Sequence, residues 1–278
     1  MSTSAAWFQE WQEVLPGAPL RQGDLLESTS DAANPWDRHL VVITADCDLA
    51  NSKHQGRVTC VPLLSVDEYL LRFTIPRLLE KVREKHLTQL EAICARSGTH
   101  PSRERLRAWP SEATDDEIVA ATGVGASDAV VLKACTRGIR TLAGPWDTVS
   151  LAVKALTESE QLSPQPQGAD KYRNSLSSAL RSPFTNPPGD ALFISAFAPG
   201  QDEGYFAYLR HIEHIHESDI ATQPTRSEAK FRRLARFTDR FTYAIVQRFA
   251  SVFATIGLPS DYEEMRNFYS DQLWERTK

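Results

Sequence analysis

The spacing of apolar positions changes twice along this chain. From residue 18 to residue 64 they fall in short runs, Leu25-Leu26, Leu40-Val-Val-Ile43 and Val58 to Leu64. The Gly23-Asp24 turn, the polar stretch Ser28–Asp37 ending in Asn34-Pro35-Trp36, and Lys53-His54-Gln55-Gly56 separate them. Short strands at close spacing with Gly and Asn turns predict a small barrel. At Ser65 the period lengthens to that of a helix, and Ser65 with Glu68 forms a capping box. Pro76 predicts the start of a second helix, with Leu79, Val82, His86, Leu90 and Ile93 as its buried stripe and Gly98 at its end. Thr114 with Glu117 opens another helix that stops at Gly123. Ser127 is expected to cap the next, with Val130, Val131, Ala134, Ile139 and Leu142 on one face. Further helices are predicted over 146–158 and 171–180, the last bracketed by the Pro-rich patches at 163–166 and 182–189. After Gly189 the strand pattern returns in Ala191–Ala198 and Gly204–Ile212. Long helical periodicity then predicts a helix over 227–256 and a shorter one after Pro259. Trp7, Phe8, Trp11 and Leu15 predict a short N-terminal helix over 5–15.

The order is strands, helices, strands, helices, and no internal repeat is present. It predicts an α+β protein: a barrel core with N- and C-terminal helices (1–65 and 186–278), split by an all-helical insertion (66–185), with a C-terminal helix pair. A plain α+β domain followed by unrelated helices is the other architecture compatible with the pattern. Hydrophobic residues make up 41% and charged residues 24% of the 278, which places the chain among ordinary globular proteins. A net charge of -5 argues against nucleic-acid binding by bulk electrostatics, while leaving room for a local basic face. The N-terminus lacks the basic start and apolar run of a secretory signal, and no segment approaches the ~20 apolar residues of a membrane helix. Cys47, Cys60, Cys94 and Cys135 form no CxxC pair, so they read as reduced thiols in a bacterial-type cytoplasm. No cofactor is implied, and no membrane partner.

The candidate chemistry is concentrated at Thr44, Asp46, Cys47, Asp48 and His54. Two carboxylates at the end of an apolar strand are costly unless they cap a turn or do work. In an extended strand Thr44, Asp46 and Asp48 project to one side. Metal-independent chemistry at a phosphate ester needs a base for the attacking hydroxyl and a cation for the phosphorane-like charge. Asp46 or Asp48 supplies the base in that scheme, Arg21 the cation and Thr44 a positioning hydroxyl. Two alternatives stay open: the carboxylates hold a magnesium ion, which needs further oxygen ligands, or they make Asx-turns and end the strand. Arg21 is the nearest partner that the sequence identifies for Asp46 or Asp48. Cys47, between two carboxylates, is expected to be a small buried filler. His211, His214 and His216 lack the residues that would complete a zinc set, so no metal site is expected. His54, with Arg226, Lys230, Arg233, Arg236 and Arg240 on a basic face of the predicted 227–256 helix, is the candidate surface for nucleic acid or an acidic partner. Residues 115–140 have the outline of a helix-turn-helix, but Asp128 stands at the start of the second helix, where a reading helix would meet phosphates, so helical-hairpin packing is preferred.

With the insertion removed, Gln22-Gly23-Asp24, Leu40–Thr44, Val58–Leu64 and Leu209–Ile220 resemble the PemK/Kid/MazF-type toxins, a small SH3-like barrel with a C-terminal helix. The likeness covers less than half the chain. Arg21-Gln22-Gly23-Asp24 stands where the family has Arg-Gly-Asp, and His39-Leu40 stands where it has Arg-Pro. The resemblance implies a bacterial toxin-antitoxin or phage-defence setting, RNA or a nucleotide as ligand, an antitoxin-like protein partner, a homodimer and endoribonuclease activity. Against it stand a non-catalytic docking module of a multi-protein complex and a DNA-binding regulator using residues 115–140.

Overall fold

The computed structural model describes residues 9–223, 228–254 and 260–275. In chain order the elements begin β1 (Trp11–Gln12), β2 (Asp24–Ser28), α1 (Pro35–Arg38), β3 (His39–Val42), α2 (Asp46–Ala50) and β4 (Arg57–Ser65). Seven helices follow: α3 (Val66–Tyr69), α4 (Ile75–Arg96), α5 (Arg103–Glu112), α6 (Asp115–Thr122), α7 (Ala126–Thr141), α8 (Val149–Gln161) and α9 (Ala169–Thr185). The chain then adds β5 (Ala191–Ile194), β6 (Tyr205–Tyr208), β7 (Glu213–His216), β8 (Ile220–Ala221), β9 (Phe231–Phe237), α10 (Asp239–Ala254) and α11 (Ser260–Glu275). It divides into two compact units, residues 1–63 with 188–278, and residues 64–187.

The first unit is built on a curled sheet, mostly antiparallel, in the order β1-β9-β2-β3-β4-β6-β5, with β7 paired to β4 and β8 parallel to β9. Strands from both ends of the sequence therefore share one sheet: Arg57 to Cys60 pair with His216 to Glu213. Apolar residues cover both of its faces. Leu25, Val41, Ile43, Val61 and Leu63 pack with Phe197, Phe237, Ile245 and Val252 on one side, and Leu26, Leu40, Val42, Val58 and Cys60 pack with Ile220 and Phe231 on the other. Two-sided burial explains why Leu40 to Ile43 is an unbroken aliphatic run rather than an alternating one. Gly23 closes the turn into β2 at φ +86, and a Cβ there would lie 2.3 Å from Thr242 Oγ1, so no other residue fits.

The second unit is all helix. The capping boxes at Ser65/Glu68 and Thr114/Glu117 are both formed, and Gly123 ends α6 in the left-handed conformation. Pro76 sits in the first turn of α4, behind a π-helical turn at Leu70–Thr74. A proline there offers no N–H and crowds the carbonyl four residues back, so the ladder widens before α4 begins. Leu79, Val82, His86, Leu90 and Ile93 are all buried.

Four expectations are corrected. Residues 11–12 are a strand, with Trp11 opposite Phe237, and Leu15 is 81% exposed, so the helix expected over 5–15 does not form within the described residues. Residues 231–237 are the strand β9, so the long helix starts only at Asp239. On α7 the buried face is Leu132, Cys135 and Ile139 while Val130 is 70% exposed, and its N-cap is Gly125, not Ser127. The helix α5, over Arg103–Glu112, and the short α1 within the polar stretch were not expected. No described helix is long and apolar enough to cross a membrane.

Candidate functional site

β3 stops at Val42, and the chain turns at once into α2. Asp46 and Asp48 therefore stand in the first turn of a short helix, not on one side of an extended strand, and they do different things. Asp46 accepts hydrogen bonds from Arg21 Nη2 (2.8 Å), Arg21 Nε (3.2 Å) and the Gln22 backbone N–H (2.8 Å). Partial burial would raise its pKa, but the Arg21 and Gln22 bonds outweigh that and hold it below the ordinary carboxylate value. The expected pairing of Arg21 with a carboxylate of this cluster is thus present, at Asp46. Arg21 lies in the loop ahead of β2, and the pair is about half exposed. It ties the start of β2 to the start of α2.

Asp48 points elsewhere. It lines a cleft of about 490 Å³ together with Thr44, His54, Arg57, Thr59, His214 and Phe249. Its one hydrogen bond among the described residues is from Cys47 Sγ, at 3.6 Å, and its charge also helps raise the pKa of His54. Cys47 itself is exposed, so the expectation of a buried filler fails. Arg57 is exposed and makes no ion pair among the described residues. Thr59 faces His214 and Arg57 faces His216 across the β4–β7 ladder. Residues directly opposite in an antiparallel pair share a face, so Arg57, Thr59, His214 and His216 form one polar strip on the sheet. Thr59 Oγ1 lies 3.3 Å from His214 Nδ1. Thr44 spends its hydroxyl on the fold: Oγ1 accepts from the Thr59 N–H at 2.7 Å.

His54 is the hub of the loop at one end of this cleft. One ring N–H donates to the Asp48 carbonyl (Nδ1, 3.1 Å) and the other to Glu217 Oε2 (Nε2, 2.8 Å). Two acceptors favour the imidazolium, and the Glu217 carboxylate, followed by the Asp48 carbonyl, raises the His54 pKa above its usual value. The same loop holds two non-glycine residues in the left-handed region, Ser52 (φ 54) and Gln55 (φ 51). Such conformations persist where the surroundings fix them and gather at working loops.

The predicted basic helix face does not exist. Arg233 and Arg236 are strand residues whose guanidinium groups are buried around Asp24. Arg236 Nε donates to Asp24 Oδ1 at 2.6 Å and Arg233 Nη1 to Oδ2 at 3.2 Å, with the Asp24 side chain 0% exposed. Both also donate to the Pro19 carbonyl. Lys230 pairs with Asp219 at 3.0 Å, Arg240 is exposed at the start of α10, and Arg226 lies outside the described residues. These cations are therefore not gathered into one surface.

Residues 115–140 pack as a hairpin. Asp115 takes Thr136, Arg137 and Arg140, Asp116 takes Lys133, and Asp128 takes Arg96. A larger cleft of about 970 Å³ lies beside them, lined by Arg83, Arg107, Lys133, Arg137 and Arg140, but each of these cations already has an acidic partner. His211 stacks on Trp36, with ring centroids 4.5 Å apart. No group of three or more His, Cys, Asp and Glu side chains among the described residues is placed to hold a metal ion.

Asp48, His54 and Thr44 were legible as candidates in the sequence, His214 was weighed only as a zinc ligand, and Arg57, Thr59 and Glu217 were passed over. The alternation His214-x-His216 and the position of Arg57 at a strand start were the available signals. Their meaning depends on the β4–β7 register, which the sequence does not show. No protein-family model, curated protein or solved structure matches the chain.

Proposed function

We propose that the sheet unit is a toxin-like SH3 barrel of the PemK type, working on RNA or a related phosphate-bearing ligand in a toxin-antitoxin or phage-defence setting. The cleft lined by Asp48, His54, Arg57, Thr59 and His214 is the site. One observation supports the reading: the Asp48 carboxylate and the Arg57 guanidinium, neither in an ion pair among the described residues, line the same cleft beside a histidine whose pKa Glu217 and the Asp48 carbonyl raise. A charged pair made only for stability would be closed on itself, as Arg21–Asp46 is.

In this reading Arg57 and His214 meet the phosphate, and Asp48 is the base that takes the 2′-hydroxyl proton. His54 positions Asp48 through the Asp48 carbonyl. Asp46 and Arg21, assigned catalytic roles from the sequence alone, become structural. The homodimer and the antitoxin-like partner remain part of the proposal.

The rival is a module that binds a phosphate ligand without cleaving it. The occupation of both His54 nitrogens favours that rival, since it leaves the ring no free position for proton transfer. Incubating the chain with single-stranded RNA and following both growth arrest and cleavage separates the two. The enzymatic reading expects cleavage that Asp48→Asn abolishes while leaving the fold and RNA affinity in place. Binding without cleavage by the wild type would assign the module instead.

A further inference from the structure

An open groove of about 400 Å³ runs along α9 in the helical unit. Its floor is apolar: Leu70, Val153, Leu176, Leu180 and Phe184, the last 38% exposed. Arg173 and Arg181 stand at its rim, both exposed, and neither makes an ion pair among the described residues. Most other arginines of this unit are matched to acids, so two unmatched ones beside an apolar floor call for an amphipathic anionic occupant.

The chain carries a segment of that chemistry. α11, Ser260–Glu275, has five acidic residues in its sequence, Asp261, Glu263, Glu264, Asp271 and Glu275, against the single Arg266. It also leaves Tyr262 (45%), Met265 (50%), Phe268 (58%) and Tyr269 (64%) exposed. At 100° per residue Tyr262, Met265 and Tyr269 fall on one stripe. An apolar stripe on a helix is the usual ligand of an apolar groove, and acids beside it suit arginines on the rim. The same acids repel an anionic membrane surface.

The geometry points to self-association: α11 of one copy lies in the α9 groove of a second copy, with Tyr262, Met265 and Tyr269 on the apolar floor and α11 carboxylates at Arg173 and Arg181. The contact joins two different surfaces, so it is heterologous. A heterologous contact makes a test by complementation available.

The full chain is followed by sedimentation from low to high micromolar concentration, beside two variants, Arg173→Glu with Arg181→Glu, and Tyr262→Ser with Tyr269→Ser. All substituted positions are exposed, so the far-UV circular dichroism of both variants should match the wild type. The wild type is expected to associate, and each variant to associate at least about tenfold more weakly, as loss of central aromatic and arginine anchors usually does. Mixing the two variants should restore association, because one brings an intact groove and the other an intact helix. A wild type that stays monomeric throughout would overturn the proposal, as would variants that associate as well as the wild type. Should a variant misfold, the wild type alone still decides: its association must weaken with added salt, and a salt-indifferent association would overturn the charge matching at Arg173 and Arg181.

Discussion

Replacing Asp24 by alanine should cost far more than replacing any other carboxylate discussed above. Asp24 is 0% exposed, and it holds two guanidinium groups whose side chains are 3% and 10% exposed. It also accepts the Arg21 backbone N–H at 2.9 Å. Removing the carboxylate leaves two cations in the interior with backbone carbonyls alone as acceptors, that of Pro19 for both and that of Leu15 for Arg233. Breaking a buried pair by deleting one partner typically costs about 3–5 kcal/mol, because the orphaned charge keeps its desolvation penalty. With a urea slope of about 2 kcal/mol per M, the midpoint for the sheet unit should fall by roughly 1.5–2.5 M. The assay is urea unfolding read at each step by near- and far-UV circular dichroism, so that separate transitions of the two units are seen. The variant Asp24→Leu with Arg233→Met and Arg236→Met removes the charges together and should recover most of the loss. A loss below about 1 kcal/mol for Asp24→Ala, the range of an exposed pair, would refute the account of Arg233 and Arg236 as an internal clamp.

Asp46→Asn should cost at most about 1 kcal/mol, since its pair with Arg21 is half exposed; a larger shift in the urea midpoint would mean the α2 anchor matters more than its exposure implies. His86 is 0% exposed, with burial, the main cause, holding its pKa below the usual value. The unfolded chain therefore binds a proton at His86 before the folded chain does, so stability should fall as pH drops below about 6.5, and a His86→Gln variant should lose part of that dependence in acid titrations. His54 has the opposite sign: its raised pKa contributes stability that is present below about 6.5 and lost as pH rises through the folded value, which an NMR titration of the ring checks. Gly138→Ala would set a Cβ 2.4 Å from the His86 ring, so overpacking of about 1–3 kcal/mol is expected in thermal unfolding.

The readable parts of the fold were those set by local chemistry. The capping boxes at Ser65 and Thr114, the Pro76 helix start and the α4 stripe each depend on residues within a few positions of one another. β9 was unreadable for a definite reason. Its register shifts against β2, so that Leu25 faces Ala235 while Leu26 faces Arg233. The extra residue breaks the alternation that marks a strand and leaves Phe231 and Ala235 at helical spacing. Trp11 misled in the same way, because a two-residue edge strand has no period and is fixed only by its partner, Phe237. At the candidate site, the polar cluster that follows the apolar strand contributes Thr44, Asp48 and His54 to a cleft, and the Arg21–Asp46 contact was legible in the sequence. Which aspartate faces the cleft was settled by α2, which turns the two carboxylates apart.

The central claim is that the Asp48–Arg57 cleft takes a phosphate-bearing ligand. The most direct measurement is the affinity of a fluorescently labelled single-stranded RNA for the full chain and for Arg57→Ala, across a series of salt concentrations. The account predicts binding by the wild type that weakens with salt. It also predicts weaker binding by Arg57→Ala, with a log–log salt slope shallower by about 0.7, the share of one phosphate contact on a single strand. Wild-type protein that does not bind, or an Arg57→Ala variant with unchanged affinity and slope, would contradict it.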